Sequence, residues 1–159
     1  MTRVEHHEAC VVQPAHQYNQ MDVRHVRDAA GISYLEAGDP ATTSILFLHG
    51  IGGAAKAFTP QLDYFGRMYR AIAWDMPGYA GSVPLPLVTM EALASALAGF
   101  IRALGLERPV LVGHSIGGMV VQRLLAEAPD AARAIVLAQT SAVFGSRDPA
   151  WAAAFIEAR

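Results

Sequence analysis

The hydrophobic rhythm of the chain changes part-way along. Over residues 22–27 and 32–37 apolar and polar positions alternate, on either side of Ala29-Ala30-Gly31. A period of two around a glycine turn predicts a β-hairpin. Gly38-Asp39-Pro40 stops its second strand. After that the apolar residues come in short unbroken runs, at 44–49, 71–74, 110–112 and 134–138. Runs of this kind fit strands covered on both faces, as in a parallel sheet.

Helical spacing fills the gaps between these runs. Thr59 and Pro60 read as N-cap and first helical residue of a helix reaching about Met68. Thr89 caps a second helix, with Leu93, Leu97, Phe100, Ile101 and Leu104 on one face and Gly105 as its stop. A third begins just after Ser115, carries Ile116, Met119, Val120, Leu124 and Ala128 at helical spacing, and closes at Pro129. Strand–helix–strand alternation predicts the α/β class: a mostly parallel sheet with flanking helices. Asp148-Pro149 then opens another helix, with Trp151 and Phe155 on one face, and the chain stops at Arg159 without a helix stop signal. The expected organisation is a disordered leader over residues 1–21, a partial α/β domain over 22–145 cut after about its sixth strand, and the start of a further helix over 146–159.

Composition narrows the function classes. More than half of the residues, 53%, are apolar, which is enough for a packed core. No apolar run approaches the roughly 20 residues that span a bilayer, and MTRVEHHEACVVQPAHQYNQ contains no signal-peptide apolar region. A cytoplasmic protein without membrane contact is expected. The net charge of −2 is spread without runs, which argues against a nucleic-acid surface. The single cysteine, Cys10, has no partner for an internal disulfide. Together with His6, His7 and His16 it lacks the spacing of a zinc module, so these residues read as a solvated leader. No metal or cofactor is expected.

The chemistry concentrates in three segments. Gly113-His114-Ser115-Ile116-Gly117 matches G-x-S-x-G between a predicted strand and a predicted helix, the context of a nucleophile elbow. Glycines are needed there because the turn is tight and the nucleophile's backbone strained. The plainer reading is a serine acting as a helix N-cap. The second segment, His49-Gly50-Ile51-Gly52-Gly53, follows a buried strand. A glycine-rich turn in that place can aim N–H groups at a developing oxyanion, or simply end a strand. Neither phosphate-loop pattern, G-x-x-x-x-G-K-[ST] or G-x-G-x-x-G, is present. The third, WDMPGYAGS from Trp74 to Ser82, reads as a strand ending in a Pro-Gly turn that Asp75 organises.

In this order and spacing the three segments resemble the α/β-hydrolase family over about residues 22–145. The resemblance implies that Ser115 attacks a carbonyl carbon, with the N–H groups of Ile51 and Ile116 as the oxyanion hole. His49, Gly50, Gly52, Gly113, His114 and Gly117 would support them, and residues 139–159 would enter a cap. HGIGG and WDMPGY are most similar to the corresponding stretches of enol-lactone hydrolases and related carboxylic-ester or carbon–carbon bond hydrolases. Ala80 departs from the family, which usually has glycine there. Dehalogenases and epoxide hydrolases of this fold carry aspartate at the elbow, so Ser115 argues against both.

The rest of a catalytic triad is missing. A serine hydroxyl needs a base, and the family order is Ser, then Asp or Glu, then His. All six histidines (His6, His7, His16, His25, His49 and His114) precede Ser115. His114 leaves the turn in a different direction from its neighbour, His49 reads as structural, and the others read as surface residues. Of the later carboxylates, Glu127 and Asp130 lie about 20 Å away along the helix, Asp148 reads as a helix cap, and Glu157 as a solvated position. The expectation is therefore a serine hydrolase acting on an ester, lactone or similar small carbonyl substrate through an acyl-enzyme, weak or inactive as these 159 residues. Apolar Ile51, Met119 and Phe144 favour an apolar or aromatic acyl group. Two other readings stay open: a non-catalytic half-domain binding a ligand or complementary chain, and an acyltransferase. A chain ending here would also expose the 134–138 strand as an apolar edge prone to association.

Overall fold

In the computed structural model, residues 22–142 are described. Six strands form one sheet in the order β1-β2-β4-β3-β5-β6: β1 (Arg24–Arg27), β2 (Ser33–Ala37), β3 (Ser44–Leu48), β4 (Arg70–Trp74), β5 (Val110–His114) and β6 (Ala134–Ala138). The hairpin β1–β2 is antiparallel, β2 joins β4 antiparallel, and β4, β3, β5 and β6 run parallel. The change of rhythm in the sequence marks the change from hairpin to parallel strands.

Side chains of successive strand residues point to opposite faces, and the register sorts the core accordingly. Leu46, Ile72 and Leu111 are cross-strand neighbours on one face. They pack with α2 (Met90–Ala103) and α3 (Ile116–Glu127) through Leu93, Leu97, Phe100, Val120 and Leu124. Ile45, Phe47, Ala71 and Ala73 occupy the other face, against Phe58 and Leu62. That face is covered by α1 (Thr59–Phe65) and the 3-10 turn Ala55–Phe58 that leads into it. Thr89 caps α2 as its sequence position predicts, accepting from the N–H of Ala92 at 3.1 Å. Thr59 does not cap α1. The preceding turn runs straight into the helix, so Thr59 is already helical (φ −51, ψ −43) and its hydroxyl donates back to Lys56 O instead. The same helix ends at Phe65, short of Met68, with Gly66 following.

From β3 the chain steps to β4 on one side, then crosses back through α2 to β5 on the other. Neighbouring crossovers therefore leave the sheet in opposite directions beside the C-terminal end of β3. In open α/β sheets that is where a ligand crevice forms. No described helix is long and apolar enough to cross a membrane. Cys10, His6, His7 and His16, Phe144, Asp148-Pro149, Trp151, Phe155 and Glu157 lie outside the described residues, as do the leader and the helix expected over 146–159.

Candidate functional site

Because β3 and β5 are parallel neighbours with Leu48 opposite Gly113, the turns that follow them meet. Gly50 lies against the elbow: a Cβ built on it would sit 3.1 Å from Ser115 Cβ and 3.0 Å from His114 Nδ1. Ser115 has φ 53 and ψ −121, a region that L-residues occupy at a cost of about 1–3 kcal/mol. Its surroundings hold it there. The Ser115 N–H donates to Ala138 O at 2.9 Å, tying the elbow to β6, while Ser115 O accepts from Gly118 N–H at 3.0 Å as α3 starts. A side chain at Gly117 would run into the backbone oxygens of Leu48 and His49, and one at Gly113 into Cα of Gly118 at 2.5 Å. These two glycines let α3 lie directly on β3 and β5.

Ile116 is the first residue of α3, so its N–H has no acceptor within the helix and sits at the positive end of the helix dipole. Ile51 stands at the tip of the β3 turn, 54% exposed, followed by Gly52 at φ 73. Gly53 N–H closes that turn on Gly50 O at 3.0 Å. A cavity of about 360 Å³ opens here, walled by Gly50, Ile51, Ser115, Ile116, Met119 and Met90 with His114 at its side. That volume suits a small ligand. Met90, at the start of α2, was not legible as a site residue. Nothing in the sequence says that the helix capped by Thr89 begins at the cavity wall.

The histidines separate clearly. His49 is 1% exposed and uses both ring nitrogens: Nδ1–H donates to Gly50 O at 2.8 Å and Nε2 accepts from Met76 N–H at 2.9 Å. An acceptor from a backbone N–H carries no proton of its own, so the ring is held neutral in one tautomer. Burial also pushes its pKa below 6.5. Occupied on both sides, His49 has no lone pair for a serine proton and instead braces the β3 turn. His114 pairs through Nε2 with Gln139 Oε1 at 2.8 Å. Glu127 is paired with Arg123 at 2.7 Å near the far end of α3, and Asp130 lies beyond it in the 3-10 turn Pro129–Ala131. The structure thus places Ser115, Ile51 and Ile116 around one cavity, and no carboxylate–histidine pair beside them among the described residues.

Asp75 does more than shape its own turn. It is 3% exposed, with Oδ1 accepting from Ala55 N–H at 2.7 Å and Oδ2 from Ser33 Oγ at 2.9 Å. Ser33 Oγ is in turn 2.8 Å from Nε2 of His25. His25 is exposed on β1, as a surface reading expects, yet it is joined to a buried network. The sequence offered the hairpin but not its register, which sets His25 opposite Leu35 and makes Ser33 its diagonal neighbour on the same face.

Comparison with known proteins agrees with this geometry. The family model described as the alpha/beta hydrolase fold matches residues 43–159. The dihydrolipoyllysine-residue acetyltransferase component of the acetoin cleaving system of Cupriavidus necator is 34% identical over 111 residues, covering 69% of this chain and 29% of that protein. Epoxide hydrolase 3 of Xenopus tropicalis is 33% identical over 156 residues, covering 87% of this chain and 42% of its own length. The chain therefore spans well under half the length of these relatives. The structure of 2-hydroxy-6-oxo-6-phenylhexa-2,4-dienoate hydrolase from a Rhodococcus species superposes with a TM-score of 0.71 at 23% identity, over 87% of this chain and 55% of that one, a likeness of fold. An elbow between β5 and α3, a glycine turn after β3 and a family match over most of its length lead to one conclusion: the chain belongs to the α/β-hydrolase family.

Proposed function

We propose that this chain carries the nucleophile half of a serine hydrolase acting on an ester, lactone or similar small carbonyl compound. Ser115 Oγ adds to the carbonyl carbon. The N–H groups of Ile51 and Ile116 stabilise the oxyanion, the tetrahedral intermediate collapses with loss of the alcohol, and water releases the acid from the acyl-enzyme. The strained backbone of Ser115, packed directly against Gly50 at the cavity wall, is the observation that carries this reading. Strain of this size persists where the surroundings over-determine it, which is characteristic of functional turns. Both ring nitrogens of His49 are occupied, so His49 does not take the serine proton, and no described residue after Ser115 is a histidine. Relatives named epoxide hydrolase and carbamate hydrolase support hydrolysis in general. Serine at the elbow favours acyl chemistry over epoxide opening.

The test is mass spectrometry after reaction with an alkyl fluorophosphonate, on the native-length protein and on the 159-residue chain. Phosphonylation of Ser115 in the native-length protein, absent in Ser115→Ala and slow in the short chain, is the expected result. Equal labelling of Ser115→Ala would overturn it, and a Ser115→Ala variant that keeps all function would favour a non-catalytic binding half-domain. The acetyltransferase name of the Cupriavidus necator relative also raises acyl transfer. Product analysis with added alcohols or thiols separates transfer from hydrolysis at the same serine.

A further inference from the structure

We propose that His25, Ser33 and Asp75 are positioning residues of the oxyanion loop, linked in a hydrogen-bond chain that runs from the surface of the edge hairpin to the backbone of Ala55. The functional half of this inference rests on the oxyanion reading of Ile51; the geometric half does not.

The direction of each bond follows from the chemistry of the groups. A serine hydroxyl has one proton, and at 2.9 Å from a carboxylate oxygen the Ser33 proton is committed to Asp75. Ser33 Oγ must therefore accept from His25, whose Nε2 at 2.8 Å carries a hydrogen. The other carboxylate oxygen accepts from Ala55 N–H at 2.7 Å, a short, charge-assisted bond. Asp75 has little freedom of its own. Its N–H donates to Ser33 O at 2.8 Å, and its carbonyl accepts from Ser82 Oγ at 2.6 Å. Ser82 Oγ also takes the Ser33 N–H at 2.9 Å. Asp75 and Ser33 are both almost fully buried, so these bonds exchange little with water and a missing one is expensive.

Ala55 ends the segment that starts at Gly50 and includes Ile51. That segment is anchored at its front by His49 and at its back by Asp75. Ala55 is also buried in the core with Phe47 and Leu62, and a cavity of about 490 Å³ adjoins it, with His25, Lys56, Ala55 and Asp75 in its wall. Packing holds the Ala55 side chain, and the bond to Asp75 holds its N–H.

The test is amide NMR with residue-resolved hydrogen exchange on the 159-residue chain, using His25→Ala, His25→Gln and Asp75→Asn. Asp75→Asn is expected to speed exchange at Ala55 by roughly tenfold or more, the scale of one charge-assisted bond, and to shift the Ile51 and Gly52 amide resonances. His25→Ala, on an exposed residue, is expected to move the same resonances by less, and His25→Gln, which keeps an N–H donor, to restore them. Leu111 and Val112 in β5 should not move, which separates loop positioning from general destabilisation. If Asp75→Asn unfolds the chain, the two His25 variants decide the matter. Unchanged Ile51 and Gly52 amides in the folded variants would overturn the proposal, as would equal changes across β5. Fluorophosphonate labelling of the native-length protein adds the functional reading: His25→Ala should slow it several-fold and His25→Gln restore it. If Ser115 of the unaltered protein takes no label, the nucleophile reading fails, and the amide result still decides this one.

Discussion

The two edges of the sheet are made of opposite materials. At one, β1 reads Arg-His-Val-Arg and is mostly exposed, and its Arg24 holds Glu36 of β2 at 3.0 Å. Glu36 is 4% exposed and takes a second guanidinium, Arg70 of β4, at 2.6 Å. At the other edge, β6 reads Ala-Ile-Val-Leu-Ala, with Ile135, Val136 and Leu137 exposed by 41%, 50% and 40%. Short strands and charged side chains are how proteins protect a free edge from pairing with another chain. β1 has the charges and β6 has none: its composition is that of a strand covered on both faces. The site lies between the two. The turn after β3 is braced from the charged side through Asp75 and His49, while Ser115 N–H leans on Ala138 at the end of the apolar one.

The largest effect expected from this contrast is at the charged edge. Glu36→Ala leaves Arg70, whose side chain is only 14% exposed, without its carboxylate. Removing one partner of a buried ion pair costs about 3 kcal/mol, and a urea titration should show the midpoint falling without a change in slope. A loss near 0.5 kcal/mol would mean the pair behaves as a surface bridge.

A charge can also be introduced at the centre of the sheet by pH. Burial holds the His49 pKa below its unfolded value of 6.5. The native state thus resists a proton that the unfolded chain accepts. Stability from this group is complete above about pH 6.5 and is lost as pH falls through the lowered value. Urea midpoints measured from pH 8 to pH 5 should decline over that window, and more shallowly in His49→Gln. Identical profiles for the two proteins would contradict the neutral, doubly bonded ring.

How much of this was legible in the sequence depended on the range of the interactions. The elbow, the glycine turn, the Thr89 cap and all six strands follow from local pattern, since glycine placement, alternation and capping act within a few residues. Thr59 misled because its position looked like a cap, and only the 3-10 turn in front of it makes it helical. The link from His25 through Ser33 to Asp75 spans 50 positions of sequence from end to end and joins residues of ordinary type. Pairing register creates that contact, and register is visible only in the folded sheet. Met90 escaped for the same reason: its place in the cavity wall depends on how α2 packs against α3.

A smaller effect is expected on the charged side, in the turn that carries Ser82 to Asp75. Ala80 sits at φ 44, where a side chain costs about 1 kcal/mol. Glycine relieves that strain but adds unfolded-state entropy, leaving a net gain of about 0.5 kcal/mol for Ala80→Gly. Thermal unfolding of the two proteins measures it. A destabilised variant would mean that the turn draws support from the Ala80 methyl group, which lines the adjoining cavity.

The smallest effect on stability is expected where a charge is added to the apolar edge. Val136→Lys places an ammonium on a half-exposed strand with no described neighbour beyond it. In the 159-residue chain the change should stay within about 0.5 kcal/mol, while self-association followed by light scattering should drop, because an edge lysine opposes strand pairing. The same substitution in the native-length protein distinguishes two architectures. If another strand covers β6 there, the lysine must be buried, and the cost rises to several kcal/mol. If β6 is an edge in that protein as well, the two chains lose the same small amount. The difference between the two measurements therefore reports what lies beside β6, the strand whose last residue, Ala138, accepts the Ser115 N–H.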